Sequence, residues 1–233
     1  MGMSRHTKLL AAAAALVLGG LATPALADFS ACASALQTQD VHQKIELYTT
    51  CIKHGGVPLT DASGAFNNRG VAYKEIGEID KALDDFNSAI YYDPKWPAAY
   101  VNRSTIEAER GQCHEALADA DKAMQLQYWE PRVLSHKAWI LATCSDPSVR
   151  NAHDAIDLAN RALKRRGDWR AHEALAAAYA EAGQFDDAQR EEETAIKTAK
   201  TRPAELSKME ERLQLYRSGQ PYHQPPPRPA AAG

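Results

Sequence analysis

Residues 67–94 read NNRGVAYKEIGEIDKALDDFNSAIYYDP, and two separate helical faces run through them. Gly70 and Tyr73 share a face of one helix, and Gly77 breaks it. After the break, Ala82, Phe86, Ala89 and Ile90 recur at three- and four-residue steps, the spacing of a buried stripe on a second helix. Asp93-Pro94 ends that helix, because the residue before a proline is pushed out of the helical region. The stretch is a helical hairpin.

The hairpin returns along the chain. Ser104, Ala116 and Ala123 repeat Gly70, Ala82 and Ala89 at one constant offset, Gly111 repeats Gly77 at the same offset, and so does Asn102-Arg103 with Asn68-Arg69. A third unit starts near Arg132, with Ala138 and Leu141 on its first helix and Ala155, Ala159 and Ala162 on its second. Five residues are added between these helices, within LATCSDPSVRN at 141–151. A fourth unit carries Ala176, Tyr179, Gly183, Ala188 and Ala195.

The order Gly, Tyr, Gly, Ala, Phe, Ala, Pro at these spacings resembles the tetratricopeptide repeat. That resemblance implies an all-α fold, a right-handed α-solenoid whose first helices line a concave groove that receives an extended or helical peptide. The expected layout is a signal peptide at 1–27, a degenerate hairpin at 28–62, and four repeats at 63–96, 97–130, 131–168 and 169–202. A capping helix at 203–219 follows, with Leu206, Met209, Leu213 and Tyr216 on one face. A Gly-rich loop is expected over 53–64, and a disordered Pro-rich tail over 220–233. Glu107 and Ala120 depart from the family's aromatics, so a looser core is expected there. Glu192 departs likewise, which suits a helix near the end of the stack. The LATC stretch and RLQLYRSGQPYH look like a recurrent bacterial variant of the family.

The start reads as an export signal. Arg5, His6 and Lys8 precede an apolar run at 9–18 and the A-x-A site Ala25-Leu26-Ala27. A run of ten is too short to span a bilayer. Cleavage after Ala27 and a periplasmic location are therefore expected, with Asp28 first in the mature chain. Losing Arg5 and Lys8 takes the formal charge from −3 to −5, and that mild acidity argues against nucleic acid as a partner.

Four cysteines permit three full pairings. In the repeat register, Cys32 and Cys51 stand at the same separation as Gly70 and Ala89, which puts them on facing helices of the degenerate hairpin. Cys113 follows the turn of the second full repeat and Cys144 precedes the turn of the third. The resemblance brings those ends together, since the second helix of one unit packs on the first helix of the next. The expected bridges are Cys32 to Cys51 and Cys113 to Cys144. The first pair also resembles the two cysteines often found at the start of exported proteins of this variant.

Nothing in the chain reads as catalytic machinery. The eight histidines have no metal-ligand spacing, no Cys-x-x-Cys tunes a thiol, and no G-x-S-x-G or Gly-rich phosphate loop is present. Asp84-Asp85, Asp186-Asp187 and Glu191-Glu192-Glu193 are assigned to the polar faces of helices. The expectation is a scaffold without cofactor, metal or small-molecule substrate that binds a protein or peptide in the bacterial envelope. The alternative is a structural or self-assembling envelope protein, or an accessory subunit of an envelope enzyme. By alignment with the family, the groove would present Asn67, Val71, Lys74 and Glu75, then Val101, Asn102, Thr105 and Glu109. It would continue with Arg132, Ser135, His136 and Trp139 and end at Arg170 and Glu173. Asn102, Arg132 and His136 fall where the family's carboxylate-gripping members place polar or basic residues. Trp139, close after basic residues, suits either a binding hot spot or packing between repeats.

Overall fold

The computed structural model describes residues 24–53, 59–199, 203–224 and 226. Among them the regular structure is entirely helical. The helices pair as α1 (Pro24–Gln37) with α2 (Val41–Lys53), α3 (Leu59–Glu75) with α4 (Ile79–Tyr92), and α5 (Pro97–Glu109) with α6 (Cys113–Leu126). Then come α7 (Pro131–Thr143) with α8 (Ala152–Lys164), α9 (Trp169–Glu181) with α10 (Phe185–Thr198), and finally α11 (Pro203–Arg217). Each pair packs internally and on the next, so the expected all-α solenoid of helix-turn-helix units is what forms. The expected signal peptide lies outside the described residues apart from 24–27, which begin α1.

Small side chains set the spacing of the stack. Ala82, Ala89, Ala116, Ala123, Ala155, Ala162, Ala188 and Ala195 are all fully buried, and at a methyl group's thickness neighbouring helices come close together. Three first helices end on a glycine with positive φ: Gly77, Gly111 and Gly183, at 80°, 73° and 74°. The next residue's N–H bonds back into the last turn, as in Gln112 to the Glu107 carbonyl at 2.8 Å. This is the left-handed helix stop that a β-carbon disfavours. The third unit has Ser145 at that place and uses a longer connection, closed by Asn151 N–H to the Leu141 carbonyl at 2.8 Å.

The repeated Asn-Arg pair has a structural role. Arg69 grips Asp85 with two bonds of 2.8 and 2.7 Å, and Arg103 grips Asp119 with 2.6 and 2.8 Å. Each fork ties the first helix of its unit to the second. Asp85 is therefore buried rather than on a solvated face.

One further expectation changes. Of the loop expected over 53–64, residues 54–58 lie outside the described residues, Lys53 ends α2, and 59–64 are helical, with Gly64 packed so that a β-carbon there would meet the Trp96 ring at 3.0 Å. In the second repeat Ala120 is buried, and the Glu107 carboxyl takes the aromatic's place beside Arg103. Burial and the nearby Asp119 raise Glu107 to about 7. Cys32 and Cys51 lie at disulfide distance with Cα atoms 5.5 Å apart, and Cys113 and Cys144 at 5.9 Å.

Candidate functional site

The first helices α3, α5, α7 and α9 follow one another along the stack, and their side chains touch across it. Through their upstream and middle parts runs a polar strip. Asn102 Nδ2 donates to Asn67 Oδ1 at 2.9 Å, and Arg132 Nη2 donates to Asn102 Oδ1 at 3.3 Å. Lys74 Nζ pairs with Glu109 at 2.9 Å, and Val71 remains 43% exposed between them. Among the described residues no carboxylate is ion-paired with Arg132. Desolvation by its surroundings and then the charge of Arg170 lower its pKa, against the pull of Asp168 and Glu130, and its side chain remains exposed.

The other expected residues divide. Thr105 Oγ1 donates to the Val101 carbonyl at 2.7 Å, and Ser135 Oγ to that of Pro131 at 2.8 Å; both hydroxyls are spent on their own helix. His136 Nε2 meets Ser104 Oγ at 2.9 Å, while Ser104 donates to the Ala116 carbonyl at 2.6 Å. With that proton committed, His136 Nε2 is the donor. Burial, with the charges of Arg132 and Lys74, holds His136 down to about 3, so at neutral pH it supplies no positive charge to a carboxylate. Arg170 turns to its own helix start, bonding Asp168 at 2.6 Å and stacking on Trp169 at 4.2 Å.

The downstream part is different, because the chain's own end covers it. Tyr222 stacks beside Trp139 with ring centroids 5.8 Å apart. Arg212 of α11 lies over both rings, at 5.0 Å from Trp139 and 5.6 Å from Tyr222. Gln224 donates its backbone N–H to the Thr143 carbonyl at 2.7 Å. Its side-chain amide, oriented by its partners, accepts from Trp139 Nε1 at 3.0 Å and donates to the Ala108 carbonyl at 2.9 Å. His223 Nε2 meets Glu181 at 2.6 Å, and Arg150 bonds the other oxygen of that carboxylate at 2.8 Å. Residues 220–224, expected to be disordered, are thus seated on α5, α7 and α9. The expected tail beyond them lies almost wholly outside the described residues.

Beneath this cover is a buried charge cluster. Arg212 bonds Glu173 through Nη2 and Glu192 through Nε at 3.1 Å. Glu192 is fully buried, and its second oxygen has no hydrogen-bond partner among the described residues. Burial pushes Glu192 up to about 8 and also raises Glu173, against the pull of Arg212. The expectation that Glu192 faces solvent is corrected: the space an aromatic would fill is taken by a carboxyl that burial holds toward its protonated form and that bonds Arg212 of α11.

The structure therefore gathers Val71, Lys74, Asn102 and Arg132 in one strip, with Asn67 buried beneath Asn102, and places Trp139 and Glu173 under α11 and the tail. Arg212, Tyr222 and Gln224 were missed. The readable signal was Arg212 itself, which stands at the i+3 position between Met209 and Tyr216, on the apolar face of α11.

Among the described residues no group of three or more His, Cys, Asp or Glu side chains is arranged to hold a metal ion, and no helix is long and apolar enough to cross a membrane. The tetratricopeptide repeat profile matches residues 64–95. A stretch of 53 residues is 42% identical to human tetratricopeptide repeat protein 28, covering 23% of this chain and 2% of that protein. A stretch of 121 residues is 27% identical to small glutamine-rich tetratricopeptide repeat-containing protein 2 of Mycosarcoma maydis, covering 52% of this chain and 33% of that protein. The chain thus spans a third or less of either relative. Among solved structures, a thermophilic tetratricopeptide repeat protein of Thermus thermophilus superposes with a TM-score of 0.61 at 15% identity, over 82% of this chain and 98% of that one. YrrB, described as a tetratricopeptide repeat protein with an unusual peptide-binding site, superposes at 0.52 and 15% identity, over 81% and 92%.

Proposed function

From a chain whose fold and repeat sequence align it with the tetratricopeptide repeat proteins, which generally act as protein-interaction modules, we propose a non-catalytic scaffold that binds a protein or peptide across its first helices. The supporting observation is the strip Asn67–Asn102–Arg132. Polar side chains there join three successive repeats into one surface and end on a guanidinium that no carboxylate among the described residues pairs with. Such a group offers a forked, charge-assisted contact to a carboxylate on a partner. YrrB, similar in fold, is named for a peptide-binding site, which adds weight to the reading. We place the protein in the bacterial periplasm, on the export signal read in residues 1–27 and on two cysteine pairs at disulfide distance, a feature of oxidising compartments.

The test is site-specific photo-crosslinking in the producing cell. The crosslinker goes at Val71, in the open strip, with a control at Lys164, which is exposed on the second-helix side. A discrete adduct at 71 and none at 164, lost on Arg132→Ala, is the expected result. Adducts at 164 alone, or with the protein itself alone, would instead make this an assembly protein.

A further inference from the structure

Residues 222–224 are held by one ring contact, one histidine–carboxylate contact, one side-chain carboxamide and one backbone N–H. The site they fill has three elements. Trp139 and Arg212 form a slot for an aromatic ring. The Trp139 indole N–H and the Ala108 carbonyl together match both ends of one carboxamide. The Thr143 carbonyl receives a backbone N–H. These are supplied by Tyr222 and, two residues on, by Gln224, whose side chain is buried. Pro221 lacks the N–H of a helix interior, and residues 221–224 are not helical.

We propose that this is a peptide subsite, and that the tail is its exchangeable occupant. The subsite takes a non-helical segment that presents an aromatic side chain and, two residues later, a primary carboxamide. The chain's own end fills it until a partner segment of that chemistry replaces it. This inference rests on the reading of the first-helix surface as a binding face and names the partner for its downstream half. Attachment makes the tail a strong competitor. Only the turn at 218–220 separates it from α11, and a short tether holds a ligand at an effective concentration in the millimolar range.

The experiment uses the full chain, as wild type and as the Tyr222→Ala/Gln224→Ala variant, with a synthetic peptide of residues 219–226, GQPYHQPP, as the probe. The readout is the nitrogen-attached indole proton resonance of Trp139, one of four tryptophans, assigned by its loss in Trp139→Phe. In the double variant this resonance is expected to move away from its wild-type position. Added peptide should return it saturably, while the peptide with its Tyr and second Gln replaced by Ala does not. The wild type should need at least about 10-fold more peptide for any change, because its own tail must first leave. Gln224→Ala alone, which removes the buried amide between Trp139 Nε1 and the Ala108 carbonyl, repeats the test while keeping the Tyr222 ring.

Identical Trp139 resonances in wild type and variant would overturn the proposal, as would a peptide that shifts neither protein, or both at the same concentration. Those failures are separable from failure of the broader reading. The crosslinker at Val71 reports on the open strip whether or not the tail exchanges, so adducts there with an inert peptide would sink the subsite alone.

Discussion

At the first hairpin the closing element is a pair of cysteines, Cys32 and Cys51, whereas at the last it is a guanidinium, Arg212, held between Glu173 and Glu192. Both ends face the same physical problem. A repeat stack buries its units against one another, and the terminal units have one neighbour too few. The first hairpin buries little, mainly Ala31, Ala35, Tyr48 and Cys51 against Ala65, so a cross-link that restricts the unfolded chain compensates for a thin core. The last pair is covered by α11, which brings Met209 and Tyr216 to the apolar surface and a charge to the carboxylates. One end should therefore respond to reductant and the other to charge and pH.

The largest effect is expected at Arg212. Arg212→Met removes the only cation bonded to Glu173 and Glu192 among the described residues; Glu192, which already holds its proton at neutral pH, loses a hydrogen bond, and stranding the Glu173 carboxylate costs about 3–5 kcal/mol. Denaturant unfolding measures it, and a loss below about 1 kcal/mol would mean that the cluster is hydrated and not the closing element. The bridge comes next. Cys32→Ala/Cys51→Ala is expected to cost about 2–4 kcal/mol, read as faster amide hydrogen exchange in α1 and α2 with α9–α11 unchanged. Equal acceleration at both ends would erase the contrast, because it would make the stack one cooperative unit.

The pH response sharpens the comparison from the other side. The folded protein holds a proton on Glu192 up to about 8, while the unfolded chain releases it near 4.5. Between those values the native state binds more protons than the unfolded state, so this group's contribution to stability falls as pH rises. The slope is at most about 1.4 kcal/mol per pH unit for one proton. Glu192→Gln removes the titration, and its advantage over wild type should grow from pH 5 to pH 8 and level off above. A constant difference across that range would show that Glu192 does not change charge there.

How much of this was readable follows from distance along the chain. The alanine positions, the glycine stops and the Asn67–Asn102 contact recur at or near the repeat period, so one unit predicted the next. The expected pairing of Cys32 with Cys51 came from the same register, and that of Cys113 with Cys144 from the family resemblance. Arg212 meets Glu192 and Glu173 from a different helix at a different distance along the chain in each case, across elements of unequal type, and no period carries that information. Gln224 reaches Ala108 across half the stack, and a proline-rich composition hid it. Gly64 misled for a related reason: its local preference is for a loop, yet it sits in a helix with the Trp96 ring at the start of the next repeat packed close against it.

The smallest effect separates the cap from the tail it directs. Gly219 ends α11 with φ 71°, and the next N–H, that of Gln220, bonds the Leu215 carbonyl at 3.0 Å. That reversal sends 220–224 back toward Trp139. A β-carbon at Gly219 would stand 4.0 Å from the Phe185 ring, so it has room, and Gly219→Ala carries only the conformational cost of a left-handed alanine, about 1 kcal/mol. For a chain of this size that lowers the melting temperature by about 2–4 °C. Gly77→Ala is the matched control, with φ 80° and nothing within 4 Å of the added carbon. Both variants should lose similar stability, but only Gly219→Ala should move the Trp139 indole resonance, because only that turn aims the tail. If both move it, the tail is sensing the stability of the whole stack; if neither does, the contacts of Tyr222 and Gln224 hold the tail in place without help from the turn.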